Sequence, residues 1–328
     1  MKSFREKYLR PCRCWTDILP VAAILIFLIS ILGTVFTIPI ALITQMARIT
    51  RAITGNKDVA SFMMMYFDTI GIWAAGLLFM WVYKRNRPML KAIKYDGRGN
   101  SAKAALTGAA IGFGMNGLCI LLSVLMGDIK LTFGSFNLIN LLLFLVFVCI
   151  QSGSEELLLR VYLFQKLRRR YRHPAVAIIG NAVIFSALHA LNPGFNFGGA
   201  LQIVLVGLLF SLFVYYYGSF YAAVMAHTAW NFTQSILFGL PNSGVVSAYS
   251  LFRLDAASAR NGFFYNVGFG VEGSPGASIV IGLMCVIVFV LGRKKKSGEY
   301  ADLWADAEAE AVAAAMTAIN DPVADSNQ

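Results

Sequence analysis

The sequence has few charged residues, few histidines and few cysteines. Asp, Glu, Lys and Arg make up 14% of its 328 residues, whereas a soluble domain carries about a quarter. Hydrophobic residues make up 58% and stand in continuous runs, unlike the alternating pattern of a β-barrel. The composition argues against an ordinary soluble enzyme and predicts a helical protein that crosses the membrane several times.

Acidic residues are scarcer than basic ones, with 17 Asp and Glu against 28 Lys and Arg and a formal net charge of +11. The basic residues cluster at the ends of apolar runs, which is the pattern of cytoplasmic anchoring segments. We therefore predict a lipid bilayer, and no nucleic acid, as the partner of this charge. The five cysteines lie in the basic N-terminal segment or in apolar runs, so they indicate neither a disulfide framework nor a metal hook.

Eight apolar runs have the length and composition of membrane spans. The sequence thus predicts an all-α polytopic membrane protein with about eight transmembrane helices, near residues 18–46, 60–83, 104–126, 136–167, 174–191, 198–217, 220–238 and 277–291. An even number of spans places both termini on one side. Most Lys and Arg residues outside the spans fall on that side, so we predict a cell-membrane protein with both termini in the cytoplasm.

Two adjacent carboxylates and an arginine interrupt the fourth run. Glu155, Glu156 and Arg160 lie inside an otherwise apolar segment, where one ionisable residue costs about 2.5–3.5 kcal/mol on insertion scales. An ion pair that fixes helix packing is one interpretation. A catalytic or ion-handling site between helices is the other.

The hairpin between the fourth and fifth runs brings a histidine to the same depth as the first carboxylate. Glu155 is 17 residues before Arg172 and His189 is 17 after it, so the two side chains can meet in an antiparallel pair. His227 enters from the seventh run, and Asn231 follows on the same helix face at i+4. We predict a buried polar site between helices four, five and seven, open toward the cytoplasmic side.

These residue types suit hydrolysis by an activated water. A carboxylate that faces a histidine can deprotonate water, as a general base or through a metal. A second histidine with an asparagine can donate hydrogen bonds to a developing oxyanion. Glu156 and Arg160, at i+4, are placed to support that site.

Three short motifs follow one another on separate predicted helices: Glu155-Glu156-x-x-x-Arg160, Phe185-x-x-x-His189 and His227-x-x-x-Asn231. Together they resemble the motifs of the CPBP family, the CAAX proteases and bacteriocin-processing enzymes also called Abi proteins, over about residues 140–238. The sequence departs from many relatives at Leu159 and Val161, where an aromatic residue and a glycine are expected.

The resemblance implies an intramembrane endopeptidase that acts on membrane-anchored peptides or proteins. It implies that Glu155 and His189 activate the water and that His227 and Asn231 form the oxyanion site. Supporting roles fall to Glu156, Arg160 and Phe185. The family is often labelled a metalloprotease, so zinc held by Glu155, His189 and His227 and a metal-free glutamate mechanism are both open.

We accordingly divide the chain into four parts. Residues 1–135 hold the first three spans and basic cytoplasmic segments, and residues 136–238 form a CPBP-like catalytic core. Residues 239–298 hold an external loop and the last span, and residues 299–328 form an acidic, Ala-rich cytoplasmic tail with one short helix near residues 300–319.

Three functions remain open at this point. The first is peptide hydrolysis, in bacteriocin maturation, self-immunity or CAAX-type processing. The second is a non-catalytic membrane scaffold or regulator that keeps the same fold. The third is a proton- or ion-coupled transporter that uses the carboxylates and histidines as a relay, although no inverted repeat is evident. The sequence gives no indication of the oligomeric state.

Overall fold

The computed structural model describes residues 8–10, 14–294, 303–304, 309 and 313. Over these residues the chain forms ten α-helices and one short two-stranded sheet. The helices are α1 Leu19–Thr44, α2 Met46–Thr54, α3 Lys57–Phe67, α4 Ile70–Val82, α5 Ala102–Leu125, α6 Leu138–Arg170, α7 Pro174–Leu188, α8 Phe197–Tyr217, α9 Phe220–Asn231 and α10 Pro275–Gly292. The strands are β1 Leu131–Phe133 and β2 Phe252–Leu254.

Six helical segments in the described part of the chain are long and apolar enough to cross a membrane. They are Leu19–Thr44, Lys57–Val82, Ala102–Leu125, Leu138–Arg170, Phe197–Tyr217 and Pro275–Gly292. The other two predicted spans correspond to α7, which is shorter, and to α9, which continues as a π-helix over Phe232–Leu237. The prediction of an all-α polytopic membrane protein is confirmed, and each predicted span contains a helix.

Successive helices run between two ends of the bundle. At the basic end Asp17 bonds to Lys166, and Gly99 lies against the Gly218 carbonyl. The loop end holds the connections at residues 126–137, 189–196 and 238–274. The start of α1 and the end of α10 both lie at the basic end, because Asp17 bonds to Lys166 and Gly292 packs against Tyr216.

A buried ionic network fixes the start of α1 to the end of α6. The Asp17 carboxylate accepts hydrogen bonds from Lys166 at 3.0 Å and from Arg169 at 2.6 and 2.8 Å. Arg169 also donates to Asn86 at 3.1 Å. Burial raises the pKa of the Asp17 carboxyl, but Arg169 and Lys166 outweigh it, so the pKa lies below its ordinary value.

The sequence also predicts that the five Lys and Arg residues at 166–172 lie in a cytoplasmic loop, and this is wrong for most of the segment. The chain stays helical to Arg170, and Lys166, Arg168 and Arg169 are buried. These cations are paired inside the protein, so clustering of charge at the end of an apolar run does not by itself mean exposure.

Small residues let α5 and α9 pack backbone to backbone. A Cβ atom on Gly108 would collide with the Ala222 carbonyl, and one on Gly112 with the Ala226 carbonyl. Since both pairs are spaced at i and i+4, the contact is a small-xxx-small interface. It places α9, and with it His227, at a fixed distance from α5.

The segment between α9 and α10 is more structured than the predicted external loop. β1 and β2 pair antiparallel, with Thr132 opposite Arg253, which ties this segment to the connection before α6. Each strand has only three residues, which is too few to show an alternating pattern, and the two strands are far apart along the chain. The sequence therefore predicted a loop. The four-part division of the chain stays a prediction.

The predicted helix near residues 300–319 lies outside the described residues, apart from four positions. One of these, Trp304, is buried at the basic end. Its indole donates to the Gln165 carbonyl at 3.0 Å, and the Arg169 guanidinium lies 4.9 Å from its ring centroid.

We expect Gly112→Ala to lower stability, because the new methyl group meets backbone atoms of α9 that have no room to move. Overpacking of this kind costs about 1–3 kcal/mol. Thermal melting of the purified protein in detergent measures the loss. The matched control is Gly114→Ala, since a Cβ at Gly114 meets nothing within 4 Å. Equal melting temperatures for the two variants would contradict the close contact.

We expect Asp17→Ala to cost about 3–5 kcal/mol, because it leaves Lys166 and Arg169 buried without a counter-charge. The exposed Asp58 provides the control, Asp58→Ala. Because the folded pKa of Asp17 is lowered, its stabilisation is full above the ordinary aspartate pKa and is lost as pH falls through the folded value. Melting curves should therefore show the gap between wild type and Asp17→Ala narrowing in acid. A gap that is independent of pH would refute the ionic origin.

Candidate active site

Two of the three helices that carry motif residues, α6 and α9, change to π-helical winding beside those residues. α6 does so over Leu157–Leu163, directly after Glu155 and Glu156. α9 does so over Phe232–Leu237, directly after Asn231. Single turns of π-helix inside α-helices are frequent at functional sites, because the extra residue redirects the side chains that flank it.

The centre of the site is a buried ionic network of three side chains. Glu156 and Arg160 are both 0% exposed and form an ion pair, with Nε and Oε2 3.0 Å apart and Nη1 donating to Oε1 at 3.1 Å. The Nδ1 atom of His227 lies 2.9 Å from the same Oε1. Glu156 therefore joins the first motif to the third.

Aromatic rings enclose the arginine of this network. The Arg160 guanidinium carbon lies 4.8 Å from the Phe185 ring centroid and 5.3 Å from that of Phe210. Its Nη2 donates to the Gly207 carbonyl at 3.3 Å. The rings stabilise the cation by cation–π attraction and keep water away from it, which gives Phe185 the supporting position that the motif predicts.

The departures from the family pattern, Leu159 and Val161, are both buried in the apolar core. Leu159 also lines the cavity of the site, together with the motif residues.

Glu155, unlike Glu156, has a partly exposed side chain. Its side chain is 28% exposed, and its Oε2 is 3.9 Å from Nε2 of His227. Gln151 donates a short hydrogen bond to Oε1. Oε2 is buried and has no hydrogen-bond partner among the described residues. The two adjacent glutamates thus differ, because Oε2 of Glu156 lies 3.0 Å from Nε of Arg160 in a close ion pair, whereas Oε2 of Glu155 has only Nε2 of His227, at 3.9 Å.

An amide network extends the site from Glu155 to Asn231. Nδ2 of Asn231 donates to Oε1 of Gln151 at 3.3 Å, and its Oδ1 accepts from Nδ2 of Asn242 at 3.1 Å. The sequence analysis missed Gln151, although its place four residues before Glu155 on one helix face was a usable signal. Asn242 gave no such signal, because it lies on a long connection.

His189 occupies the C-terminal cap position of α7. Its Nδ1 lies 2.9 Å from the Phe185 carbonyl oxygen, and its ring stands edge-on to the Phe185 ring, with centroids 4.8 Å apart. His189 and Glu155 line one cavity, as the equal offsets from the hairpin predict. The histidine within 4 Å of the Glu155 carboxylate, however, is His227.

The cavity in front of these residues has a volume of about 460 Å³. Motif residues from α6, α7 and α9 line one side, and α1, α3 and α4 contribute the other with Phe27, Met65 and Thr69 among others. Asn192 and Asn242 complete the wall, so the cavity lies toward the loop end. The opening of the site toward the cytoplasmic side stays a prediction.

A zinc ion at this site would need several protein ligands close together. Among the residues that the structure describes, no group of three or more His, Cys, Asp or Glu side chains is placed to hold a metal. Glu155 and His227 are close together, whereas three protein ligands are usual for catalytic zinc. As placed, the side chains do not fit the three-ligand set of Glu155, His189 and His227.

Comparison with known proteins identifies the segment that carries the site. Residues 136–233, under a third of the chain, match the family model described as type II CAAX prenyl endopeptidase Rce1-like. No curated protein and no solved structure matches the chain. Residues 136–233 are therefore similar to the Rce1-like family of CAAX endopeptidases, and the resemblance to the CPBP family that the three motifs predict is confirmed.

Proposed function

We propose that this protein is an intramembrane endopeptidase in which Glu155 activates a water molecule to hydrolyse a peptide bond. One observation carries the proposal. Glu155 lines the cavity, and its Oε2, which lies 3.9 Å from Nε2 of His227, has no hydrogen-bond partner among the described residues. An unpaired carboxylate oxygen in such a position costs free energy unless it accepts a hydrogen bond, and a water held there is the nucleophile.

In the proposed reaction, Glu155 accepts a proton from the water while the water oxygen attacks the carbonyl carbon of the peptide. The tetrahedral intermediate collapses when the C–N bond breaks, and Glu155 returns the proton to the leaving nitrogen. His189, which lines the same cavity, holds the same water. Gln151 donates to the second oxygen of Glu155, so the carboxylate is oriented before substrate arrives.

His227 and Asn231 stabilise the oxyanion in this proposal. Oε1 of Glu156 lies 2.9 Å from Nδ1 of His227, which leaves Nε2 for the cavity, and the ion pair with Arg160 fixes the position of Glu156. The Asn231 amide presents its nitrogen toward Gln151 and the cavity. Donors that are already oriented need no reorganisation as charge develops, which is the main source of such catalysis.

We derive no step through a metal ion, because the described side chains do not form a three-ligand set. The zinc-assisted form of the reaction, with Glu155, His189 and His227 as ligands, is the alternative that the first experiment tests directly.

The substrate in this proposal is a peptide anchored in the membrane. The cavity wall formed by α1 and α3 carries the apolar side chains of Phe27 and Met65, which suits an apolar or lipid-bearing segment beside the scissile bond. Bacteriocin maturation, self-immunity and CAAX-type processing share this chemistry. The proposal places the protein in the cell membrane with both termini in the cytoplasm, as the basic clusters predict.

We expect wild type to cleave short membrane-anchored peptides and Glu155→Gln to cleave none, because the amide cannot accept the proton. Purified proteins are assayed by mass spectrometry, with and without a zinc chelator. The control is Asp68→Asn, an intramembrane carboxylate in a separate groove beside Thr34 and Thr37, and it should keep full activity.

Cleavage that continues in the presence of the chelator supports the metal-free reaction. Cleavage that the chelator abolishes and added zinc restores would overturn the metal-free reaction. Peptides untouched by wild type would favour the scaffold. Proton or ion flux in liposomes, lost in Glu155→Gln while no peptide is cut, would favour the transporter.

We expect Asn231→Ala to reduce kcat about 10²–10³-fold with KM little changed, the scale of one lost oxyanion donor. Asn231→Asp preserves the shape but removes the amide donor and adds a negative charge, so it should be at least as slow. Steady-state kinetics on a cleaved peptide measure both. Full activity of Asn231→Asp would show that the amide does not donate to the oxyanion.

A further inference from the structure

The connection between α9 and α10 buries a third carboxylate behind the candidate active site. Glu272 is 5% exposed and lies in a short 3₁₀ turn, Val271–Gly273. Its Oε1 accepts from the Trp230 indole at 3.2 Å. Its Oε2 accepts from the Ser243 backbone N–H at 2.7 Å and approaches the Ser243 hydroxyl at 3.5 Å. None of the three motifs contains this residue.

Glu272 holds a turn whose backbone conformation is unfavourable. Ser243 has a φ of 49°, and besides it only Gln45 among the described non-glycine residues has a positive φ. Gly244 follows at φ 83° and packs against the Pro193 carbonyl. A non-glycine residue in this region costs of order 1–3 kcal/mol and persists only where its surroundings hold it. The bond from Ser243 N–H to Glu272 is such a restraint.

The turn held in this way carries a side chain that reaches the proposed oxyanion site. Asn242 and Val245 exchange two backbone hydrogen bonds of 2.9 Å, which orient the Asn242 side chain. Its Nδ2 then donates to Oδ1 of Asn231 at 3.1 Å. Because the Asn231 oxygen is engaged by a donor, the amide is fixed with its nitrogen toward Gln151 and the cavity.

A small cavity lies between Glu272 and the histidines. Its volume is about 30 Å³, and polar side chains, His189, His227, Asn231 and Glu272 among them, line it together with apolar ones. Burial raises the pKa of the Glu272 carboxyl above its ordinary value. The Ser243 N–H and the neighbouring histidines reduce this increase.

We propose that Glu272 is a positioning residue for peptide hydrolysis, because it holds the Asn242–Ser243 turn so that Asn242 orients the amide of Asn231 toward the oxyanion. The inference rests on the proposed function and adds a residue to it. Glu272 acts through two other side chains and does not contact the reacting atoms. Its loss should therefore slow the chemical step more than it weakens substrate binding.

The test compares Glu272→Gln with wild type in steady-state peptide cleavage. The amide keeps the volume but has one acceptor oxygen instead of two, so the indole or the Ser243 N–H loses its partner. We expect kcat to fall about 10- to 100-fold, the scale of a small misplacement of catalytic groups, with KM within about twofold. The matched control is Asp255→Asn, an exposed acid on the same connection, which should leave kcat unchanged.

A double-mutant cycle separates positioning from mere packing. If Glu272 acts through Asn242, the double variant Glu272→Gln/Asn242→Ala should lose no more kcat than the slower single variant. Additive losses, or unchanged kcat in Glu272→Gln, would overturn the inference. Should Glu272→Gln fail to fold, Asn242→Ala leaves the buried carboxylate intact and must itself lower kcat for the inference to stand.

The two levels of proposal fail in different ways. Wild type that cleaves no peptide refutes the proposed function. Wild type that depends on Glu155 while Glu272→Gln and Asn242→Ala cleave at full rate leaves the proposed function intact and refutes the role of Glu272 alone.

Discussion

The ion pair between Glu156 and Arg160 is the interaction on which the site depends. Both side chains are fully buried, and moving two charges out of water costs several kcal/mol for each. The cost is offset only by close geometry and by partners for the remaining polar atoms, which here are His227 and the Gly207 carbonyl, with aromatic rings around the cation. Each of these partners comes from a different helix. The pair therefore couples the position of α6 to those of α8 and α9, and a shift of any one leaves a buried charge without its complement.

Two contacts away from the Glu156–Arg160 ion pair hold the helices at the separation that the pair requires. The glycines of α5 let α9 approach backbone to backbone, so His227 comes within reach of Glu156. At the basic end, Asp17 binds the last turn of α6 through Lys166 and Arg169. Van der Waals packing and buried hydrogen bonds replace the hydrophobic effect as the source of helix association within a bilayer. The geometry of the candidate site thus rests on parts of the chain outside the segment that matches the family model.

Much of this arrangement was predictable because it follows from periodicity and depth. Hydropathy located every span, the hairpin offset placed Glu155 and His189 on one cavity, and spacing at i+4 paired Glu156 with Arg160. The missed features depend on contacts between residues distant in sequence. Glu272 lies on an irregular connection, where neither period nor motif indicates which side chain turns inward. The buried state of Lys166 and Arg169 depended on Asp17, 149 residues away from the lysine, so charge clustering alone suggested a solvated loop.

The connection at the loop end also explains how two adjacent glutamates can differ in state. The two oxygens of Glu156 lie 3.0 Å from Nε of Arg160 and 2.9 Å from Nδ1 of His227. Oε2 of Glu155 has no contact this close, and no hydrogen-bond partner among the described residues. Such an oxygen is tolerable only if water or substrate reaches it, so the cavity has to stay hydrated inside an apolar bundle. Polar groups from Asn192, Asn242 and Ser243 line that part of the wall and supply a surface that water can wet. The same connection therefore shapes the access of water to Glu155 and, through Asn242, the orientation of Asn231.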